Sequence, residues 1–405
     1  MDPECDISVV RIAVDYYPFK GGSNIHTRDL AEKIHPHLRR QVIIAHDYGE
    51  MCSEFDEQYH IPIVRVQAGN LQKKYGIPVF PLNNLIYMIR VAGVIKNLED
   101  IDLIHAHNIS NIGFSWFIGK MLGIPVIGMM HGTAEANSRI SGVYESIMAT
   151  LFKPAFALIL DDGSVAPEKY RRLWGDRITV VHHAIDTDMY APAEKSTSLL
   201  EELGIARSDF VALSTSSFLP VKNVDFTIDA FASFLATTGR EDAHLILAGD
   251  GRDRETIEAQ ANERGIEDAV RFVGYQTPEK LLDYLSISDV IVGSSLYSNM
   301  NRSIQEAMAC EIPPVVFDSG GTGSVVRHRE NGILVEPGNV GAFAEALSLL
   351  YRDPALRERL GKKARATILE DRNWDRRIRQ ELAVYRKCME MHRPETTRRV
   401  RHHGS

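Results

Sequence analysis

The sequence holds no apolar run long enough to cross a bilayer, no secretory leader and only four cysteines in 405 residues. Cys5, Cys52, Cys310 and Cys388 are widely scattered, form no CxxC pair and offer no zinc spacing. That usage argues against a disulfide scaffold and suits a reducing compartment. Positive charge is in deficit, with 46 Lys and Arg against 54 Asp and Glu and a formal net charge of −8. Nucleic-acid binding therefore has no electrostatic support. A GxGxxG dinucleotide fingerprint is absent as well. These absences point to a cytoplasmic protein. Peripheral contact with the inner face of a membrane stays open through Lys73-Lys74 beside Leu71 and Tyr75, although two lysines are usually a solvated face.

What is present describes a soluble globular chain, with 44% apolar and 25% charged residues. Its length exceeds one core, so two domains are expected. Strands are expected at Val9–Val14, Val42–Ala45, Ile61–Val66, Leu103–Ala106, Val126–Met130, Ala155–Leu160 and Ile178–Val181, with a helix over Asn24–Ile34. After a linker-like stretch, Asp186–Ser198, strands recur at Val211–Ser214, His244–Ala248, Arg271–Val273, Val290–Val292, Pro314–Phe317 and Ile333–Val335. Helical patterns separate them. Such alternation predicts an α/β protein with two doubly wound Rossmann-like domains facing each other across a cleft, a layout that divides a two-part substrate.

The stretch Ser294–Val326 (SSLYSNMNRSIQEAMACEIPPVVFDSGGTGSVV) combines a strand end, a polar turn and a helix start. Unpaired N–H groups and the dipole make such an entrance an anion site. Ser303 with Glu306 also fits a capping box, and Arg302 with Glu306 an i,i+4 ion pair, so a purely structural role stays open. Gly21-Gly22 after the first strand allows close approach of backbone to a ligand, or merely a turn. His107 and His131 follow strands at the edge where ligands of doubly wound sheets sit. A lone histidine there also serves to cap a loop.

The second half resembles the nucleotide-sugar domain of glycosyltransferase family 4, the retaining glycosyltransferases of GT-B fold. The resemblance rests on Leu247-Ala-Gly-Asp-Gly251, Val273-Gly274, Leu285-Ser-Ile-Ser-Asp289, Ser295-Leu-Tyr297, Glu306-Ala-Met-Ala309, Ser319-Gly-Gly321 and Asn331-Gly-Ile-Leu-Val335 with Pro337. Tyr17-Pro18 with Gly21-Gly22, Ile104-His-Ala-His107 and His131-Gly132 extend it more loosely to the first half. Ile185-Asp-Thr-Asp188 with Tyr190 and Pro192 resembles the interdomain crossing. The resemblance implies domains at 1–190 (acceptor side) and 191–368 (donor side). It also implies a helix at 369–390 returning to the first domain, with a disordered tail at 391–405. It implies transfer of a sugar from a nucleotide-diphosphate sugar to an unidentified acceptor, with no cofactor and no metal. Asp186-Thr-Asp188, nominally a DxD, is read as structural. By analogy Glu306 holds the donor ribose, Lys222 contacts the diphosphate, His131 lies near the donor sugar, and Gly21 and Gly22 close over the phosphates.

Several positions depart from the family pattern. Ser298 stands where the first of two glutamates is usual, and Asn299-Met300-Asn301 replaces the Gly-x-Gly after it. Ser217 stands where a diphosphate-binding arginine is usual, Ser324 replaces a glutamate, and His182-His183-Ala184 replaces Pro-Asn-Gly. Arg302 is positioned to restore the missing charge or simply to pair with Glu306. Donor binding is accordingly assigned to Gly21, Gly22, Ser217, Lys222, Ser298, Asn299, Met300, Asn301, Arg302 and Glu306, and the catalytic group to His131, Lys222 and Glu306. The alternative is a catalytically silent GT-B scaffold that binds a nucleotide or a partner. Acceptor choice is expected to reside in loops 68–81 and 138–146.

Overall fold

A computed structural model describes residues 5–13, 16, 18, 22–67, 80–131, 139–161, 165–239, 241–296 and 302–392. Gly21, Ser298, Asn299, Met300 and Asn301 lie outside the described residues, as do most of 68–81 and the tail beyond 392. The chain divides into two compact units. One takes the described residues within Met1–Asp161, Val165–His183 and Asp375–Ser405, the other those within Ala184–Trp374.

The first unit is built on β1 (Cys5–Ile12), β2 (Leu38–His46), β3 (Ile63–Val66), β4 (Leu103–His107), β5 (Val126–Met130), β6 (Phe156–Leu160) and β7 (Ile178–Val181). All pair in parallel, in the order β3-β2-β1-β4-β5-β6-β7. Parallel neighbours need crossover connections. Helices Gly22–Ile34, Glu50–Gln58, Phe80–Asn97, Ile109–Leu122, Arg139–Leu151 and Ala166–Trp174 provide them. The segment 138–146, expected as a loop, is helical from Arg139. Val143, Ile147 and Leu151 recur at i,i+4, a period that the Ser and Gly content of the segment obscures.

Alternation along β1 sends Val10 and Ile12 into a core shared with Ile104, Ala106, Val126 and Met130. Arg11, between them, faces the other side, beside His105 on β4. The final helix, Trp374–His392, brings Arg377, Glu381 and Tyr385 to that side at four-residue spacing. Arg11, Arg377, Glu381 and Tyr385 are each at most 2% exposed. Arg11 Nη2 donates to Glu381 Oε1 (3.0 Å) and to the Tyr385 hydroxyl (3.1 Å). Arg377 Nη1 lies 2.7 Å from Glu381 Oε2, and Tyr385 donates to Oε1 at 2.6 Å. Burial alone would raise the Glu381 pKa, but the Arg377 and Arg11 guanidiniums overcome it and hold the carboxyl well below its usual range.

The second unit contains β8 (Phe210–Ser214), β9 (Ala243–Leu247), β10 (Val270–Phe272), β11 (Val290–Gly293), β12 (Pro314–Phe317) and β13 (Ile333–Val335), parallel and ordered β10-β9-β8-β11-β12-β13. Phe210 and Ala212 of β8 join one core with Phe226, Phe231 and Phe343. Val211 and Leu213 join the opposite one with Ile304 and Met308. A strand buried on both faces reads as an unbroken apolar run, which is why these strands were visible in the sequence. Residues 184–190, placed with the first domain by the sequence reading, pack here instead. Ile185 N donates to Arg372 O (2.8 Å), and Arg365 Nη1 donates to Tyr190 O (3.2 Å). Among the described residues no helix is long and apolar enough to cross a membrane.

Removing Glu381 would leave two buried guanidiniums without their carboxylate. Glu381→Ala is expected to destabilise the protein by about 3–5 kcal/mol in urea unfolding. The neighbouring histidines set a pH dependence. Burial, then the charge on Arg11, pushes His105 down to about 4, and burial first pushes His107 well below its ordinary value. Between pH 6.5 and 4 the unfolded chain therefore binds protons that the folded one refuses, so stability falls as pH falls through that window. Urea titrations at pH 7.5 and pH 5 are expected to differ by on the order of 2 kcal/mol for each such histidine.

Candidate active site

In the second unit the strand order reverses between β8 and β11, and a doubly wound sheet binds ligands outside the carboxyl ends of such strands. Lys222 follows β8, and Glu306 follows β11. The β8 loop ends in the short turn Pro220–Lys222, and Asn223, at φ +53°, redirects the chain into helix Val224–Thr238. Asparagine tolerates that left-handed conformation better than most residues. Two glycines fix the loop's path. A Cβ on Gly249 would stand 1.9 Å from Ser216 O, and one on Gly251 2.4 Å from Phe218 O. The glycines of Leu247-Ala-Gly-Asp-Gly251 thus admit the Ser217-bearing backbone, and Phe218 N donates to Asp250 O at 2.9 Å.

The β8 and β11 loops are stitched together. Leu296 N donates to Val221 O (3.0 Å), the Ser294 hydroxyl donates to Asn223 O (2.7 Å), and Thr227 Oγ1 lies 2.8 Å from Ser294 Oγ. Ser319, after β12, donates to Ser295 O at 2.7 Å. Within helix Arg302–Ala309, Arg302 Nε donates to Glu306 Oε1 at 2.8 Å. Tyr190, 2% exposed, faces the same carboxylate, and burial first, then the charge on Glu306, pushes the phenol pKa up. Tyr190 is a partner that the sequence did not reveal, because its position marked only the crossing. Lys222 is half-buried, and burial lowers its pKa. It makes no ion pair among the described residues. Asp186 Oδ1 accepts from Asp188 N (3.3 Å) and Met189 N (3.1 Å), so this carboxylate shapes its own turn.

The structure therefore brings Ser217, Lys222, Arg302 and Glu306 to one edge of one sheet. Gly22 and His131 belong to the other unit, at the carboxyl edge of its sheet. Gly22 opens the helix that follows β1, and His131 directly follows β5. His131 Nε2 lies 3.1 Å from His107 Nδ1, the two rings stacked with centroids 5.3 Å apart. His107 Nε2 in turn lies 3.0 Å from Arg11 Nη1. Arg11 and Glu381 escaped the sequence reading as partners of His131. The one available signal was a charged residue inside the apolar run Val9-Val-Arg-Ile-Ala-Val14.

Family matches and similar proteins extend over both units. Residues 20–189 match the family model for Glycosyltransferase Family 4, and residues 196–367 match that for glycosyl transferases group 1. The chain is 25% identical over 389 residues to an N-acetyl-alpha-D-glucosaminyl L-malate synthase of Bacillus anthracis, covering 93% of this chain and 96% of the relative. It is 27% identical over 326 residues to a D-inositol 3-phosphate glycosyltransferase of Streptomyces avermitilis, covering 75% and 68%. Among solved structures, sucrose-phosphate synthase from Thermosynechococcus elongatus superposes with a TM-score of 0.76 at 21% identity, covering 95% of this chain and 100% of that one. Anabaena Alr3699/HepE in complex with UDP and glucose superposes with a TM-score of 0.73 at 20% identity, covering 93% and 98%.

The close approach at Gly249 gives a direct test of how the loop is held. Gly249→Ala forces a methyl group onto a backbone oxygen and is expected to cost about 1–3 kcal/mol, read as a fall in melting temperature.

Proposed function

Since the chain belongs to glycosyltransferase family 4, with its GT-B fold, and is a glycosyltransferase on that footing, we propose that it moves a sugar from a nucleotide-diphosphate sugar to an acceptor hydroxyl with retained configuration. The observation that carries this reading is Lys222, a half-buried ammonium with no ion pair among the described residues, placed where the strand order reverses. A cation partly stripped of water gains most from an anion, and a lysine is a compact point charge suited to phosphate. Glu306, oriented by Arg302 and Tyr190, is an acceptor suited to the ribose hydroxyls. Gly21, Gly22, Ser298 and Asn299-Met300-Asn301 are assigned to donor binding on the family resemblance alone.

In the proposed reaction the bond between the anomeric carbon and the leaving phosphate oxygen breaks. The acceptor oxygen bonds to the same face of that carbon, and its proton passes to the phosphate oxygen. No protein nucleophile and no resident metal take part. The protein's work is neutralising the departing diphosphate and positioning the two substrates. Serine at 217 leaves Lys222 to supply that charge on its loop, and Arg302 adds a second cation at the helix entrance.

A thermal-shift panel of nucleoside diphosphates and nucleotide sugars tests the donor class, since a ligand at a hundred times its dissociation constant stabilises by about 2.7 kcal/mol. No shift with any member overturns the reading. With the donor found, Lys222→Ala is expected to lower kcat/KM for nucleoside diphosphate release by about 10²–10³-fold. L-Malate and D-inositol 3-phosphate, which figure in the names of the relatives, head the acceptor panel. Arg302→Ala measures the worth of the pair with Glu306, and unchanged turnover would remove Arg302 from the site.

A further inference from the structure

The histidines of the first unit form a directed chain. Arg11 Nη1 can only donate, so the nitrogen it meets at 3.0 Å, His107 Nε2, must accept. A neutral imidazole carries one proton, and His107 must then hold it on Nδ1. That N–H points at His131 Nε2, 3.1 Å away, which accepts in its turn. His131 is left with its proton on Nδ1. This nitrogen is buried and has no partner among the described residues, at the strand end where a doubly wound sheet takes its ligands.

Charge balance keeps the chain neutral. Two buried guanidiniums, Arg11 and Arg377, face one carboxylate, Glu381, so the cluster already carries one excess positive charge. A proton on any imidazole would add a second in a buried setting. Burial, then the charge on Arg377, holds the His131 pKa down to about 4. The other groups around it come from every neighbouring element. His105 lies on β4, and Tyr385 on the final helix touches His105 Nδ1 at 2.7 Å. His26, on helix Gly22–Ile34, has its ring centroid 6.4 Å from that of His131, and His183, after β7, stacks edge-on against His26 at 4.7 Å. None of these supplies a carboxylate to His131.

We propose that His131 serves glycosyl transfer as a neutral hydrogen-bond donor through Nδ1–H, with Arg11 and His107 as positioning residues that dictate its tautomer. The role rests on the glycosyl-transfer reading above. His131 is thereby unable to act as the base that deprotonates the acceptor, since one nitrogen already carries a proton and the other lone pair is spent on His107. What it offers is a fixed dipole aimed at a substrate oxygen, as neutral at pH 6 as at pH 8.

Ring-¹⁵N-histidine NMR of the unmodified full chain tests the tautomer without needing any activity. His131, assigned by the signal lost in His131→Asn, is expected to be neutral and protonated on Nδ1 from pH 5.5 to 8. A proton on Nε2, or titration near 6.5, overturns the proposal. Activity tests the donor role. His131→Ala is expected to lower kcat/KM by about 10²–10³-fold. His131→Asn, whose amide N–H stands near the Nδ1 position, is expected to keep at least a tenth of wild-type turnover. His131→Gln, reaching towards Nε2, is expected to behave like alanine. Equal losses for asparagine and glutamine overturn the donor role. Failure of the wild-type chain to turn over any nucleotide sugar sinks the transfer reading instead, while the spectrum still judges the tautomer.

Discussion

Parallel strands cannot be joined by a tight turn, and that constraint places almost everything else in this protein. Each neighbouring pair needs a crossover, and the crossovers leave from one edge of the sheet. Every strand of both sheets pairs in parallel. The loops that leave the carboxyl ends of the strands are therefore gathered along one rim in each unit. Lys222, Ser294, Arg302 and Glu306 share one rim because they follow β8 and β11, the strands between which the order reverses. The loops then stiffen one another through backbone contacts such as Leu296 with Val221, which need no particular side chain.

Both units use arginine against glutamate, with different physics. Arg302 and Glu306 sit one helical turn apart and remain partly accessible, with side chains 23% and 9% exposed. A pair of that kind adds little stability and mainly orients the carboxylate. Arg11, Arg377 and Glu381 are buried outright, where the desolvation of each ion is costly and is recovered only by near-complete pairing. A leucine-and-isoleucine core on that face would do as well for stability alone. The buried charges instead orient the side chains around them, since a guanidinium imposes the direction of each hydrogen bond it makes. Tyr385 and His105 complete that orientation on the helix side, and His107 carries it to the rim.

Much of the fold was legible because β8, β11 and β12 are apolar on both faces, and a continuous run of Val, Ile and Leu announces such a strand. The family-bearing pieces, from Leu247 to Pro337, were legible because glycines were placed where backbone approaches backbone, as Gly249 and Gly251 show. What escaped was anything set by distant partners. Arg11 meets Glu381 across 370 positions, and no local period links them. Tyr190 reaches Glu306 from the interdomain crossing for the same reason. Helix Arg139–Leu151 was hidden by composition, since Ser and Gly at its start resemble a loop while the apolar period lies further along. Glu306 could be singled out because it lies one turn inside a helix entrance, a local feature, and Lys222 because its place in the chain resembles the family pattern. Their partners were not local.

The serine at 217 bears on how the two arginine pairs divide their work. With no arginine there, Lys222 is the cation of its loop, and on the proposed reading further positive charge for a diphosphate comes from Arg302 at the helix entrance. Arg302 is placed for that, yet its Nε–H is already committed to Glu306. A guanidinium is a rigid planar fork, so turning it towards phosphate changes the bond it makes to the carboxylate. On the proposed reading, recognition of the ribose and of the diphosphate is therefore linked through one side chain. In a site with an arginine at 217 the two could be tuned separately. Here a change that strengthens the hold on phosphate loosens Glu306, and the departure at one position constrains the chemistry at two others.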